Sequence, residues 1–463
     1  MRRSQRLWFL AAAILAVTIL ETVRLPADEP ATTAEVRQAL QAPLELDYRD
    51  TPLQQIAKEL HTKLDVLVYL DAKALADAGL GTDLPVTFTI SDVSATAAIA
   101  LMLKTLQLTT MVRHGVLIIT TPEDAENNLD TRVYAVADLV LLDTPGEVAA
   151  DFDSLIDMIK STVKPTTWDD VGGPGSIAPY GSGINAIVVS QTDEVHEGIE
   201  SMLAELRAVR DRQPNDGKVS TWPGRSGASA SRVADPRLPS VTAAEAAVRL
   251  ALNRPISFEF HQTPLGQAVA TLRRRTGLQI LVDVGGNGKV ADQDVSLDTP
   301  MSAEAMNLPL DVALDALLKP LELTWTYHHE CLFIATPERE AGLFITRAYD
   351  VSDLPAFRDR SGKGVPDYDA IIDMIKWTVM PTTWDDVGGP GTTAQIGQGR
   401  LQAISISQSW RIHLRIEQLL VDLRERRGAP LTRDQIARLP LVPEPLGPGT
   451  PAGEPEEVPA PAR

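Results

Sequence analysis

Two pairs of adjacent carboxylates, Asp169-Asp170 and Asp385-Asp386, come nearest in this chain to a reaction centre by residue type and spacing. Each pair stands between a tryptophan (Trp168, Trp384) and a glycine-rich turn, Gly172-Gly173-Pro174-Gly175 or Gly388-Gly389-Pro390-Gly391. Paired carboxylates can do acid–base work or ligate Ca2+. The spacing is not that of an EF-hand loop, and neighbours in an extended segment point to opposite sides. The favoured reading is structural: Trp168 and Trp384 plug the core, and the glycines allow positive φ. A phosphate cradle is rejected, because no Gly-Lys-Ser/Thr follows and proline removes a backbone donor.

His328-His329-Glu330-Cys331 resembles a metal or nucleophile cluster until it is set against its equivalent, Arg113-His114-Gly115-Val116. Cys331 then occupies an apolar strand position and the histidines a solvated hairpin tip. His196 and His413 are equivalent positions on two long helices, with no second ligand at metal spacing that repeats. No Ser-His-Asp arrangement can be nominated. The expectation is a protein that is not an enzyme and holds no cofactor and no metal.

Composition points the same way. The 463 residues carry a net charge of −19, which argues against nucleic acid and against anionic membrane surfaces as partners. A hydrophobic fraction of 44% suits a globular chain, and 5% aromatic residues is thin for stacking on sugars or bases. One cysteine excludes intrachain disulfides, thiolate zinc clusters and iron–sulfur centres. Residues 1–27 read as a signal peptide or, alternatively, an uncleaved N-terminal anchor. Arg2, Arg3 and Arg6 precede the apolar run 7–20, which is short for a membrane span. The chain is therefore expected to be exported to the periplasm or cell envelope, with membrane contact only through 7–20 if that segment is retained.

The elements that must position these residues are written twice. Residues 155–175 and 371–391 agree at 18 of 21 positions, at an offset of 216. Weaker echoes extend outward, which makes two tandem modules rather than a solenoid. Each module divides in two, as 44–122 with 130–210 and as 256–337 with 344–427. A flexible linker is expected over 211–240 and a proline-rich disordered tail over 429–463. The first halves open on alternating strands, Leu44–Tyr48 and Ile256–Phe260. Thr51-Pro52 and Thr263-Pro264 then suggest a Thr N-cap with Pro at the first helical position. Further strands are expected at 85–90 and 294–298, with helices at 94–106 and 309–319. The fold class is α+β, each first half a small mixed sheet with two helices on one face.

The first halves resemble the secretin and TonB short N-terminal domain. The likeness is carried by Thr51-Pro52-Leu53, Asp71 and the hairpin Leu108 to Ile119, and again by Thr263-Pro264-Leu265, Asp283 and Leu323 to Ile334. The second halves resemble the secretin N1-type (KH-like) repeat, through Ile184 to Thr192 and Leu401 to Ser407 with their following helices; Gln402 stands where the first copy has Asn185. The Trp-Asp-Asp-Val-Gly-Gly-Pro-Gly loop is similar to one in exported, mostly uncharacterised planctomycete proteins. A proline-rich tail follows residue 427, so the chain is expected to look like secretin periplasmic modules without the pore-forming β-domain. The resemblance implies an interaction or scaffold protein of the envelope whose partners are envelope proteins, such as a secretin or pilus-type machine, or further copies of itself. The rival readings are an envelope-polymer hydrolase using the Asp pairs and a peptidoglycan- or glycan-binding module.

Overall fold

The structure is a computed structural model. It describes residues 32–141, 150–181, 185–212, 237–284, 290, 294–360, 362–397, 401–427 and 431–442. The expected signal segment, most of the linker and most of the tail lie outside these residues. Two compact units are formed. The first holds residues 32–128, with 284 and 329–331, and the second holds the rest, so the second half of the first copy falls in one unit with nearly all of the second copy.

The first unit begins with α1 (Thr33–Leu40), closed by a Thr32–Glu35 capping box. Strand β1 (Pro43–Pro52) buries Leu44, Leu46 and Tyr48 on one face, as its alternation requires. It is followed by α2 (Leu53–Leu64), β2 (Leu67–Leu70) and α3 (Ala72–Asp77). Next come β3 (Pro85–Ser94), α4 (Ala95–Lys104), β4 (Thr109–Arg113), β5 (Val116–Thr120) and α5 (Pro122–Asn127). In place of one sheet there are two: an antiparallel β1–β3 ribbon, and a mixed sheet of order β2-β5-β4. Thr51 does not cap α2. Strand β1 runs through to Pro52, and Thr51 Oγ1 turns back to Arg49. The open helix donors of Leu53 and Gln54 are taken by the carbonyls of Leu84 and Thr82.

The second unit opens with β6 (Asp130–Ala135), α6 (Ala137–Val140), α7 (Phe152–Thr162), β7 (Ser176–Tyr180), β8 (Ala186–Gln191) and α8 (Asp193–Arg212). It continues with α9 (Ala243–Leu252), β9 (Pro255–Pro264), α10 (Leu265–Thr276), β10 (Ile280–Val282), β11 (Pro300–Pro309), α11 (Leu310–Leu318), β12 (Thr324–His328), β13 (Cys331–Ala335) and α12 (Pro337–Ala341). It ends with β14 (Phe344–Asp350), β15 (Pro355–Arg358), β16 (Gly364–Pro366), α13 (Tyr368–Thr378), β17 (Thr392–Ile396), β18 (Ala403–Ser409), α14 (Trp410–Arg427) and α15 (Arg433–Ile436). The strand expected at 294–298 is instead β11, paired antiparallel with β9. Its Met301–Leu308 stretch has no β-branched residue, and the ladder to β9 overrides local propensity. In the tail, α15 has its own capping box, and the backbone of Arg358 exchanges hydrogen bonds with Pro440 and Val442.

Two three-stranded antiparallel sheets, β6-β8-β7 and β14-β18-β17, share one order but differ in covering. In the second, Tyr349, Ile404 and Ile406 face the sheet's own helices. Ala348 and Ala403 join instead the core of α7 and α8, from the first copy. Thr346 Oγ1 donates to Thr162 O at 2.7 Å, Ser405 Oγ to Thr162 Oγ1 at 3.3 Å, and Ala348 N to the Glu205 carboxylate. Every residue of β18 is therefore buried, whereas Thr131, Val133 and Ala135 on β6 are exposed.

Burial raises the Glu205 carboxyl to about 7, against the lowering pull of the Ala348 N–H and Arg347. A raised carboxyl pKa means the folded chain holds a proton that the unfolded chain releases. This contribution is therefore complete below pH 4.5 and lost as pH rises through 7. Thermal melts at pH 5 and pH 8 should show the second unit less stable at pH 8 through this group, with Glu205→Gln removing that part of the difference. An unchanged difference in the Gln variant would show that Glu205 is not the group responsible.

Candidate functional site

The repeated loop is built on a buried indole. Trp168 and Trp384 are 0% exposed, and each Nε1 donates to a helix-end carbonyl, Val163 O at 3.0 Å and Val379 O at 2.8 Å. The chain then folds back on itself: Asp169 N donates to Gly175 O and Gly175 N to Thr167 O, with the same pair of bonds at Asp385 and Gly391. Gly172 and Gly388 have φ of 88° and 83°, in the left-handed region that favours glycine. A Cβ on Gly173 would lie 2.2 Å from the Thr167 carbonyl carbon, and one on Gly389 2.3 Å from that of Thr383. Gln191 and Gln408 lock the loops from the adjacent strand, each Nε2 donating to Thr167 O (3.0 Å) or Thr383 O (3.1 Å). In the sequence these glutamines recur within the echo of Val189-Ser190-Gln191 by Ile406-Ser407-Gln408, which does not disclose their role.

Asp169 and Asp170 do not point apart. The segment is a 3-10 turn, not a strand, and both carboxylates reach Lys160 Nζ, at 3.3 and 3.4 Å. Asp385 and Asp386 meet Lys376 in the same way, at 2.8 and 3.5 Å. All four aspartates are exposed, so each group is a solvated carboxylate–ammonium cluster at the foot of its helix. Among the described residues no group of three or more His, Cys, Asp or Glu is placed to hold a metal ion.

The remaining candidates sit apart from these loops. His329 and Glu330 both have positive φ at the tip of the β12–β13 hairpin, and Cys331 is buried at the start of β13. His196 and His413 pin the long helices to the first strands. Each Nε2 lies 2.9 Å from a backbone carbonyl, Asp130 O or Ile345 O, and each Nδ1 lies 2.8 or 2.7 Å from the hydroxyl of Tyr134 or Tyr349. The carbonyl must receive Nε2–H, so Nδ1 is the acceptor and the rings are neutral. Burial, reinforced by Arg347, drives His413 down to about 3.

Sequence reasoning missed the buried charges beneath α14. Arg347 donates to Glu245 at 2.7 Å and to Glu417 at 3.1 Å, Arg249 bridges the same two carboxylates, and Trp410 Nε1 donates to Glu245 at 2.7 Å. Burial pushes Glu245 up, but Arg347 and Arg249 outweigh it and hold the carboxyl below its usual range. In the first copy the equivalent Arg132 pairs with Asp130, Asp193 and Glu200. The recurrence of Arg132 as Arg347 and of Glu200 as Glu417, at offsets of 215 and 217, was the available signal.

Some large apolar side chains also stay on the surface. Val133 on β6 is 65% exposed, and Trp377 on α13 is 75% exposed with Met380 beside it. Among the described residues no helix is long and apolar enough to cross a membrane.

No family model matches the chain, and neither does any curated protein. Solved structures do. The chain is similar to XcpQN012 at 14% identity, over 37% of this chain and 65% of that one, with a TM-score of 0.13. It is similar to the N-terminal domain of the secretin XcpQ from Pseudomonas aeruginosa at 17% identity, over 36% and 65%, with a TM-score of 0.12. A third likeness is to the GspC–GspD complex of the type II secretion system of enterotoxigenic Escherichia coli, at 12% identity over 34% and 92%, with a TM-score of 0.13. The chain thus spans 65% of the length of each XcpQ structure. At these identities and scores the likeness is one of local fold and carries no function across.

Replacing Trp168 by Ala should cost about 3–5 kcal/mol, as for other buried aromatic truncations. Asp169→Ala should cost no more than about 1 kcal/mol, as for an exposed ion pair. Denaturant unfolding of both variants checks this; an Asp169→Ala loss as large as the Trp168→Ala loss would contradict it. For His413, a lowered histidine pKa gives stability that is complete above pH 6.5 and lost as pH falls toward 3. Acid titration of unfolding should show His413→Gln with a flatter decline below pH 6.5 than the parent chain; equal slopes would contradict it.

Proposed function

We propose that the protein is a non-enzymatic interaction or scaffold component of the bacterial cell envelope. The observation that carries this reading is where the side chains are used. The polar groups of the two repeated loops are consumed internally, with indole N–H to carbonyl, glutamine to backbone and aspartate to lysine. Large apolar side chains, Trp377, Met306 and Val133 among them, are left for contact with other molecules. A protein partner is the chemistry such surfaces fit, and the secretin-domain resemblance of the sequence suggests a secretin or pilus-type machine. Export to the periplasm follows from the same reading and from the charged-then-apolar order of residues 1–27.

Crosslinking in intact cells, followed by affinity purification and mass spectrometry, tests this. The expected result is recovery of secretion or pilus-type envelope proteins crosslinked to the chain. Recovery of the lone monomer would overturn the proposal, as would an envelope-polymer hydrolase activity abolished by Asp169→Ala with Asp385→Ala while the fold persists.

A further inference from the structure

Three arginines of the second module close on one carboxylate. Arg424 and Arg427 come from the end of α14, and Arg237 from the turn before α9. They meet at Asp353, between β14 and β15, whose side chain is 3% exposed. Arg424 grips it at two points, Nε 3.2 Å from Oδ2 and Nη2 3.1 Å from Oδ1, and Nη2 also donates to Asp350 O at 2.6 Å. Arg237 Nη1 lies 3.9 Å from Oδ2, and Arg427 Nη2 lies 3.8 Å from it, beyond hydrogen-bond range. Among the described residues Arg427 Nε and Nη1 find no hydrogen-bond partner, although both atoms are buried. Buried donors left open are costly, most of all on a charged group, and they call for a bound ion or water.

The first module shows what fills the equivalent place. Its α8 carries Arg207 and Arg210 at the positions of Arg424 and Arg427, and Asp138 stands for Asp353. Arg207 grips Asp138 and donates to Ala135 O, as Arg424 does to Asp353 and Asp350 O. Arg210 also reaches Asp138, and its Nε and Nη2 both donate to Asp211 Oδ1, at 2.9 and 2.7 Å. In sequence the position of Asp211 is Gly428 in the second module. The carboxylate that answers this guanidinium is therefore missing there, and Arg237 adds a third positive charge, in a chain of net charge −19. Burial pushes the Arg427 guanidinium below its usual range; Asp353 opposes this, and Arg237 and Arg424 add to it. The Arg427 side chain is 22% exposed, against 9% for Arg237 and Arg424, so it is the member a solute can reach.

We propose that Arg427, with Arg424 and Arg237 behind it, binds a phosphate group in the place that Asp211 fills in the first module. The fork of Nε and Nη2, occupied on Arg210 by a carboxylate oxygen, is open on Arg427. Guanidinium forks recognise carboxylate and phosphate alike. Phosphate carries up to two charges where Asp211 carries one, and its tetrahedral oxygens can answer more than one guanidinium, which suits a place with Arg237 added. The proposal is independent of the interaction reading above.

Isothermal titration calorimetry of the full chain with sodium phosphate, in chloride buffer of fixed ionic strength, tests this. The parent chain should bind phosphate saturably. Arg427→Gln should weaken binding about tenfold or more, the scale of one hydrogen bond to a charged group. Gly428→Asp, which returns the carboxylate of the first module, should do the same with every guanidinium kept. Arg210→Gln, at the counterpart that Asp211 already fills, should bind like the parent. If Arg427→Gln loses its near-UV circular dichroism, Gly428→Asp decides. Flotation with phosphatidylcholine vesicles, with and without phosphatidic acid, separates the sources of the group. Phosphate bound without flotation is the expected result; flotation that needs both phosphatidic acid and Arg427 would place the same phosphate on a lipid. A parent chain that binds neither, as a site filled by water would, overturns the proposal. So does an Arg427→Gln or Gly428→Asp chain that binds like the parent.

Discussion

Covering both faces of the sheet β14-β18-β17 is the constraint on which the second unit depends. A three-stranded sheet with helices on one side only leaves the other face to water, as β6-β8-β7 does with Thr131, Val133 and Ala135. Here the first module's helices supply the second cover. The close approach is possible because the receiving row is Ala348, Ser405 and Ala394, and the polar atoms of that row are met by Thr162. The Glu205 carboxylate is caught in the same contact, accepting from Ala348 N, so the junction carries a titratable group within it. This junction is also why the second half of the first copy belongs to one compact unit with the second copy.

Around that junction the modules are nearly interchangeable, and their departures are informative. Both have the indole plug, the glutamine lock, the lysine–aspartate cluster and the Tyr–His pin. Where Arg132 meets carboxylates of its own module, Arg347 meets Glu245 of α9 and draws that helix into place. A buried pair of this kind is costly if one partner is removed, and it fixes which elements meet. Where one module has Ser161 beside a buried threonine, the other has Trp377 beside an exposed one. The first departure is internal architecture. The second lies on the surface and marks where contact with another molecule is to be sought.

How much of this was legible in the sequence depends on the range of each interaction. Alternation in Leu44–Tyr48 and Ile256–Phe260 and helical spacing from Leu53 and Leu265 marked their elements because those signals are local. Strand β11 was misplaced because Met301–Leu308 lacks β propensity and is held only by its ladder to β9. The α2 start was misread because its open donors are met by the carbonyls of Leu84 and Thr82, some thirty residues on. The charges at Glu245, Arg347 and Glu417 are separated by up to 172 positions, so no window along the chain contains them. The aspartate pairs were visible as chemistry, but the 3-10 turn that aims both at one lysine was not.

The most direct measurement is site-directed crosslinking within the chain. Thr162 and Ser405 meet across the junction, with hydroxyls 3.3 Å apart. A chain carrying Thr162→Cys with Ser405→Cys would be oxidised and its disulfides mapped by mass spectrometry after proteolysis. A disulfide joining residues 162 and 405 of one molecule is the result that the second cover of the sheet predicts. Chains in which both thiols stay reduced, or are joined only between molecules, would contradict it.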